Sequence, residues 1–204
     1  MSTVDCEKMI GIFSAISTKM TQERDYLCEL DGAIGDADHG ISMAVGFSAV
    51  SDALSELDLD SISLTDVLNE AAKSFLNAVG ASTGPLYATA LMRAGKWAAG
   101  RYEVQNEELP ELLIAMSEGI EHRGKAKVGD KTMFDVWNPV AVAAKDNASH
   151  EKIIEIANVA MKKTADMTAK LGRSARLGER SIGHIDPGSA SAAMIISVIL
   201  TERN

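Results

Sequence analysis

The sequence predicts an all-helical domain, and three observations carry that prediction. Apolar residues recur at helical spacing along most of the 204 residues. No run of alternating β-branched residues competes as a sheet. Aromatics make up only 4% while small residues and Met are plentiful, a composition suited to helices in close contact with Met filling irregular gaps. The length suits one domain spanning 1–204, able to bury a core without disulfides.

The elements follow in order. Residues 4–20 place Val4, Ile10, Phe13, Ile16 and Met20 at helical spacing, and Thr21 is expected to cap a second helix running to about Leu30. An acidic loop over 32–40 precedes a third helix from Ile41 to Leu54, with Asp38 or His39 at its mouth. Ser63 and Asp66 form a capping-box pattern before a helix that runs through Val79. Pro85 suits the first turn of the next helix, which ends near Gly100. Asn106, Glu107 and Glu108 open another, where Pro110 is tolerated early. Residues 131–145 predict a helix kinked at Pro139. Ser149 starts a long amphipathic helix carrying Ile153, Ile156, Val159, Ala160 and Met167 on one side, with Gly172 as its stop. The last helix runs from about Ser189 to Glu202, which gives eight or nine helices in all.

A formal net charge of −9 and the lack of any basic run exclude nucleic acid and anionic membranes as main partners. Cys6 and Cys28 lie on predicted helices and are expected as free thiols. The strongest apolar run, 192–200, is shorter than the ~20 residues that a membrane span needs, and no signal sequence opens the chain, so a cytoplasmic location is expected.

The most informative stretch is Leu30-Asp31-Gly32-Ala33-Ile34-Gly35-Asp36-Ala37-Asp38-His39-Gly40. Carboxylates this dense repel one another unless a cation neutralises them, and an all-oxygen set favours Mg²⁺. A regular helix would leave Asp36 pointing away from Asp31 and Asp38, so a bent segment is required. The alternative use is an acidic surface loop with helix-capping aspartates.

The glycine-rich insertions at 32–40, 80–84, 124–129 and 172–188 all fall between helices. With antiparallel neighbours, alternate loops share one end, and several could converge on one site. Ser82 and Thr83 stand at a helix N-terminus, where free amides favour an anion, although either hydroxyl could simply cap that helix. Arg173, Arg176 and Arg180 concentrate positive charge in one loop, suited to phosphate or to pairing with Glu179 and neighbouring acids. Asp186 to Ser189 is a turn and helix cap. Walker, dinucleotide, zinc-protease and kinase-loop patterns are absent; His122 and His150 are expected at the surface, and Trp97, Trp137 and Met133 in the core or a pocket wall.

GDADHG at 35–40, GASTGPL at 80–86, RGKAKVGDKTMFDVW at 123–137 and GRSARLGERSIGHIDPGSAS at 172–191 resemble, in this order, the nucleotide-binding L subunit of bacterial dihydroxyacetone kinase. The resemblance implies a barrel of about eight antiparallel helices with the nucleotide site at one end, ADP or ATP, and two Mg²⁺. It implies Asp31, Asp36 and Asp38 as metal ligands. His39, Gly40, Ile41, Ser42, Ser82 and Thr83 would contact phosphates, Gly124 and Met133 would border the adenine or ribose, Arg173 would contact the nucleotide, and Asp186, Pro187 and Gly188 would close the pocket. The family usually carries Asn where this chain has Ser42, which implies weaker nucleotide retention.

The implied activity is phosphoryl transfer to dihydroxyacetone, or a related short ketose or tetrose, held on a separate K subunit, since no acceptor base stands out on this chain. A phosphotransferase-system M subunit would re-phosphorylate bound ADP; the alternatives are exchange of free ATP, or a nucleotide-sensing regulatory module. A transcription regulator is a further partner that the resemblance implies, with the chain itself a monomer or homodimer. The nucleotide domain of fatty acid kinases is a related possibility, but those proteins carry further domains.

Overall fold

The computed structural model describes residues 3–80 and 82–202; Ala81, in the second glycine loop, and the outermost two residues at each terminus lie outside the described residues. The chain enters on a short strand, β1 (Thr3–Asp5), and continues into α1 (Cys6–Gln22) and α2 (Arg24–Ile34). There follow α3 (His39–Ser55), α4 (Leu64–Ala78), α5 (Thr83–Trp97), β2 (Glu103–Gln105), α6 (Leu109–Gly124), α7 (Phe134–Lys145), α8 (His150–Lys163) and α9 (Pro187–Thr201). Each helix from α3 onwards packs on the next, and α1 closes the ring by touching α3 on one side and α9 on the other. α2 also contacts α3 and α9, so α1 and α2 act as one stave bent at Glu23. Eight staves therefore close into a barrel, as expected for antiparallel neighbours joined mostly by short connections.

Among the described residues, N-cap side chains fix four of the nine helix starts. Asp5 accepts from the Lys8 amide, Ser63 and Asp66 form the reciprocal box, Ser149 accepts from Lys152, and Asp186 accepts from Ser189. One continuous apolar core fills the barrel. At its centre Phe47, Phe75 and Tyr87 stack edge-on at centroid distances of 4.9, 5.5 and 6.0 Å, beside the fully buried Trp137. Cys6 is buried and Cys28 half-buried, both as free thiols.

Four expectations about elements are corrected. Val4 lies not on a helix but on β1, paired antiparallel with Val104 of β2. Thr21 does not cap a second helix: its hydroxyl bonds back to the Ser17 carbonyl within α1, and the break comes at Glu23. α7 begins at Phe134 rather than 131, because Asp135 accepts from the Gly129 and Thr132 amides and holds the preceding turn outside the helix. α8 stops at Lys163, well before Gly172, where Thr164–Asp166 tighten into a 3-10 turn; Met167 leaves the apolar face, and Val159 is exposed.

The four glycine-rich connections, those after α2, α4, α6 and α8, alternate along the chain and meet at one end of the barrel. The β1–β2 ribbon and Trp97, whose indole N–H donates to Glu111 and whose face carries Arg101 at 5.0 Å, lie among the other connections. Among the described residues no helix is long and apolar enough to cross a membrane.

Candidate functional site

The acidic loop is shorter than the sequence suggests, because Asp31 and Gly32 belong to α2. Only 35–38 are irregular, and Ala37 takes a positive φ of 62° that folds the segment back on itself. One carboxylate oxygen each from Asp31, Asp36 and Asp38 then lies within 4.8 Å of the others. Gly35 permits this: a Cβ there would sit 2.1 Å from the Asp31 carboxylate.

Asp31 has two duties. Its Oδ2 accepts from the amides of Asp38 at 2.9 Å and His39 at 3.2 Å, so it caps α3 from another helix while Asp38, at the capping position, makes no side-chain cap bond. Asp36 and Asp38 are exposed and both pair with the Arg173 guanidinium, the latter at 3.1 Å. Arg173 thus reaches across from the connection between α8 and α9 instead of pairing with Glu179. Three carboxylates facing one guanidinium leave two negative charges unbalanced, and the donors are all oxygen. The residues therefore fit a divalent hard cation such as Mg²⁺.

This cluster lies at the edge of a cavity of about 680 Å³, within the range of small-molecule sites. Of the predicted residues, Asp31, Asp36, Asp38, His39, Ser42, Ser82, Thr83, Gly124, Met133, Arg173, Asp186, Pro187 and Gly188 all line it. Gly40 and Ile41 do not: Gly40 is buried against Arg24 and Cys28, and the Ile41 side chain is exposed. Their amides belong to the first turn of α3, which has no intrahelical partners. Ser82 stands at the capping position of α5 but makes no cap bond, which leaves its hydroxyl available to the cavity. Sequence reasoning missed Arg123, Lys131 and Thr132 as lining residues. Arg123 had the charge to be noticed, but Lys131 gave no signal because it was placed on a helix.

His39 is buried, and its Nε2 lies 2.9 Å from Ser191 Oγ, which donates to the Gly188 carbonyl. The imidazole Nε2–H therefore donates to Ser191, an assignment drawn from the network. Burial lowers His39 to about 4 against the opposing pull of Asp31, so the ring is neutral. Asp186, the cap of α9, is pushed up to about 6, first by burial and further by Asp135, while the bonds from Ser189 and the charge of Lys131 oppose.

These shifts oppose one another across one pH window. Asp186, raised when folded, contributes stability that is present at low pH and lost as pH rises through about 6. His39, lowered when folded, contributes stability present above about 6.5 and lost as pH falls through about 4. Each contribution is about 3 kcal/mol. Asp186→Asn keeps the cap and removes one of the pair. In urea unfolding it is expected to be more stable than the parent at pH 7, with that advantage shrinking by about 2 kcal/mol at pH 4. An advantage independent of pH would mean that Asp186 does not titrate as a buried acid.

Fold and site together define a helical barrel with an acidic, glycine-looped mouth, and comparison with known proteins gives that class a name. The family model of the DAK2 domain matches residues 33–201. The chain is 41% identical to the ADP-binding subunit DhaL of PEP-dependent dihydroxyacetone kinase 1 of Listeria innocua, with 97% of each chain covered. It is 37% identical to the corresponding Escherichia coli subunit over 87% of each chain. The dihydroxyacetone kinase of C. freundii, solved in complex with AMP-PNP and Mg²⁺, superposes with a TM-score of 0.74 at 20% identity, over 94% of this chain and a 33% share of that longer one. The chain belongs to the DAK2 family, among the ADP-binding L subunits of bacterial dihydroxyacetone kinase.

Proposed function

We propose that the whole chain, 1–204, is one nucleotide-holding domain that presents ADP or ATP for phosphoryl transfer to dihydroxyacetone, or a related short ketose, carried by a separate K subunit. A phosphotransferase-system M subunit restores the phosphate on bound ADP. The observation that carries this reading is the carboxylate cluster of Asp31, Asp36 and Asp38 at the edge of a nucleotide-sized cavity, beside the first turns of α3 and α5. The relatives named as ADP-binding subunits of PEP-dependent kinases support it.

Phosphoryl transfer asks a protein chiefly to position groups and neutralise charge. Asp31, Asp36 and Asp38 would hold two Mg²⁺, which supply the positive charge that a polyphosphate tail requires. The first-turn amides of Gly40 and Ile41, with the Ser42, Ser82 and Thr83 hydroxyls, would bind phosphate oxygens, while the His39 and Ser42 amides are held by Asp31 and the Asp38 carbonyl; Arg173 would add a charged, forked contact. Gly124 and Met133 would border the adenine or ribose, and Asp186, Pro187 and Gly188 would wall the pocket. Both perturbed acid–base groups have structural duties, His39 through its Nε2–H to Ser191 and Asp186 as the cap of α9. The acceptor's chemistry is therefore assigned to the partner subunit.

Titration calorimetry tests the reading. ADP is expected to bind with Mg²⁺ present and to lose most of its affinity when the cation is chelated; no heat under either condition sinks the proposal. Mass spectrometry of the purified protein separates the phosphate sources, because retained ADP supports the phosphotransferase route and an empty site supports exchange of free ATP.

A further inference from the structure

Lys131 is fully buried with a positive φ of 60°, a conformation that side-chain-bearing residues rarely adopt. Its Nζ donates to four backbone carbonyls: Thr164 at 2.8 Å, Met167 at 3.2 Å, Ser181 at 2.7 Å and His184 at 2.5 Å. An ammonium has three N–H groups, so at least one contact is shared, and the oxygens surround the charge much as a carbonyl cage surrounds a bare monovalent ion. Thr164 and Met167 stand where α8 ends; Ser181 and His184 stand where the chain returns towards α9. The segment between them carries Arg173, which sits over the carboxylate cluster.

Three backbone-donated bonds also join this neck, Gly183 N–H to the Ala165 carbonyl, Ala169 N–H to the Ser181 hydroxyl and Asp186 N–H to the Thr164 hydroxyl. None of these reaches the four converging carbonyls, of which Thr164 also accepts from the Met167 amide at 3.2 Å. Buried carbonyl dipoles aimed at one point repel unless positive charge lies between them.

We propose that Lys131 is a positioning residue whose ammonium serves as a built-in monovalent cation, cinching the neck of the 168–180 loop and so holding Arg173 at the nucleotide site. This deepens the nucleotide-binding reading and rests on it for the role of Arg173, but the cage can be tested without nucleotide.

Lys131→Gly removes the ammonium, relieves the positive φ and leaves room among the carbonyls. Lys131→Met removes only the charge and keeps the stem. Trypsin is the first readout, because Arg173, Arg176 and Arg180 all lie exposed at the end of the neck or beyond it. In about 0.1 M tetramethylammonium chloride, whose ion is too bulky for the cage, both variants should be cut in this loop roughly tenfold faster than the parent. Ammonium or potassium at the same ionic strength should return the Gly variant to within about twofold of the parent, and leave the Met variant unchanged. Affinity for ADP with Mg²⁺ should follow the same pattern.

Equal cutting of parent and Gly variant in tetramethylammonium overturns the proposal, as does a loss that small cations do not rescue. If the parent itself fails to bind ADP, the nucleotide reading falls while the proteolysis result still judges the cage. Should the variants not fold, NMR of the parent decides: the cage predicts a slowly exchanging Lys131 ammonium signal, and rapid exchange refutes it.

Discussion

Asp36→Asn is expected to lower Mg²⁺-dependent ADP affinity by roughly a hundredfold, about 2.7 kcal/mol, while leaving the empty protein at least as stable as the parent. The two halves of this prediction have one cause. Asp36 is exposed, and its recorded partner is Arg173, so nothing in the core depends on it. Without a bound cation it adds to the repulsion among three clustered carboxylates, of which Asp36 and Asp38 share one guanidinium. Replacing it relieves that repulsion and removes a ligand together. Melting with and without Mg²⁺ and ADP provides the check, because a ligand that binds only the folded state raises its stability by mass action. A variant that keeps the parent's full Mg²⁺-dependent shift would sink the cation reading.

Asp31 separates the two duties within the same cluster. Asp31→Asn keeps an acceptor for the Asp38 and His39 amides and loses only charge, so it should behave like Asp36→Asn. Asp31→Ala orphans both amides as well and should also destabilise the empty protein, by about 1 kcal/mol, the usual value of a lost helix cap.

Much of this was legible in the sequence, for physical reasons. Helical periodicity is a local signal, so the staves could be read directly, and the capping box at Ser63 and Asp66 stands where its spacing places it. The four glycine-rich connections could be recognised as one set because up–down topology sends alternate loops to the same end. The capping reading of the aspartates holds for Asp31, although it caps from a neighbouring helix.

What stayed hidden depends on partners far along the chain. The pairing of β1 with β2 joins residues about a hundred positions apart over only three residues each, and Val4 also fits a helical pattern. The early end of α8 depends on Thr164, whose hydroxyl donates to the Met161 carbonyl and accepts from the Asp186 amide. Lys131 is the extreme case. Its partners are backbone carbonyls, which every residue possesses, so no side-chain pattern could announce the cage.

Gly40→Ala should be costly, lowering stability by about 3 kcal/mol, or roughly 10 °C in melting temperature for a chain of this size. A Cβ at Gly40 would lie 1.9 Å from the Arg24 carbonyl oxygen and 2.9 Å from the Cys28 sulfur. The sulfur could swing aside, but the carbonyl belongs to the backbone of α2, so α2 and α3 must separate. That movement draws the start of α3 away from Asp31, whose bonds to the Asp38 and His39 amides hold the carboxylate cluster together. ADP affinity should therefore fall along with stability, though no cation ligand has been changed. Gly11→Ala supplies the control. It too sits within a helix, but a Cβ there meets nothing within 4 Å. Alanine's better helix propensity should then raise stability by about 0.5–1 kcal/mol. If both substitutions stabilise alike, α2 and α3 do not approach as closely as described, and the geometry that gathers the three aspartates loses its support.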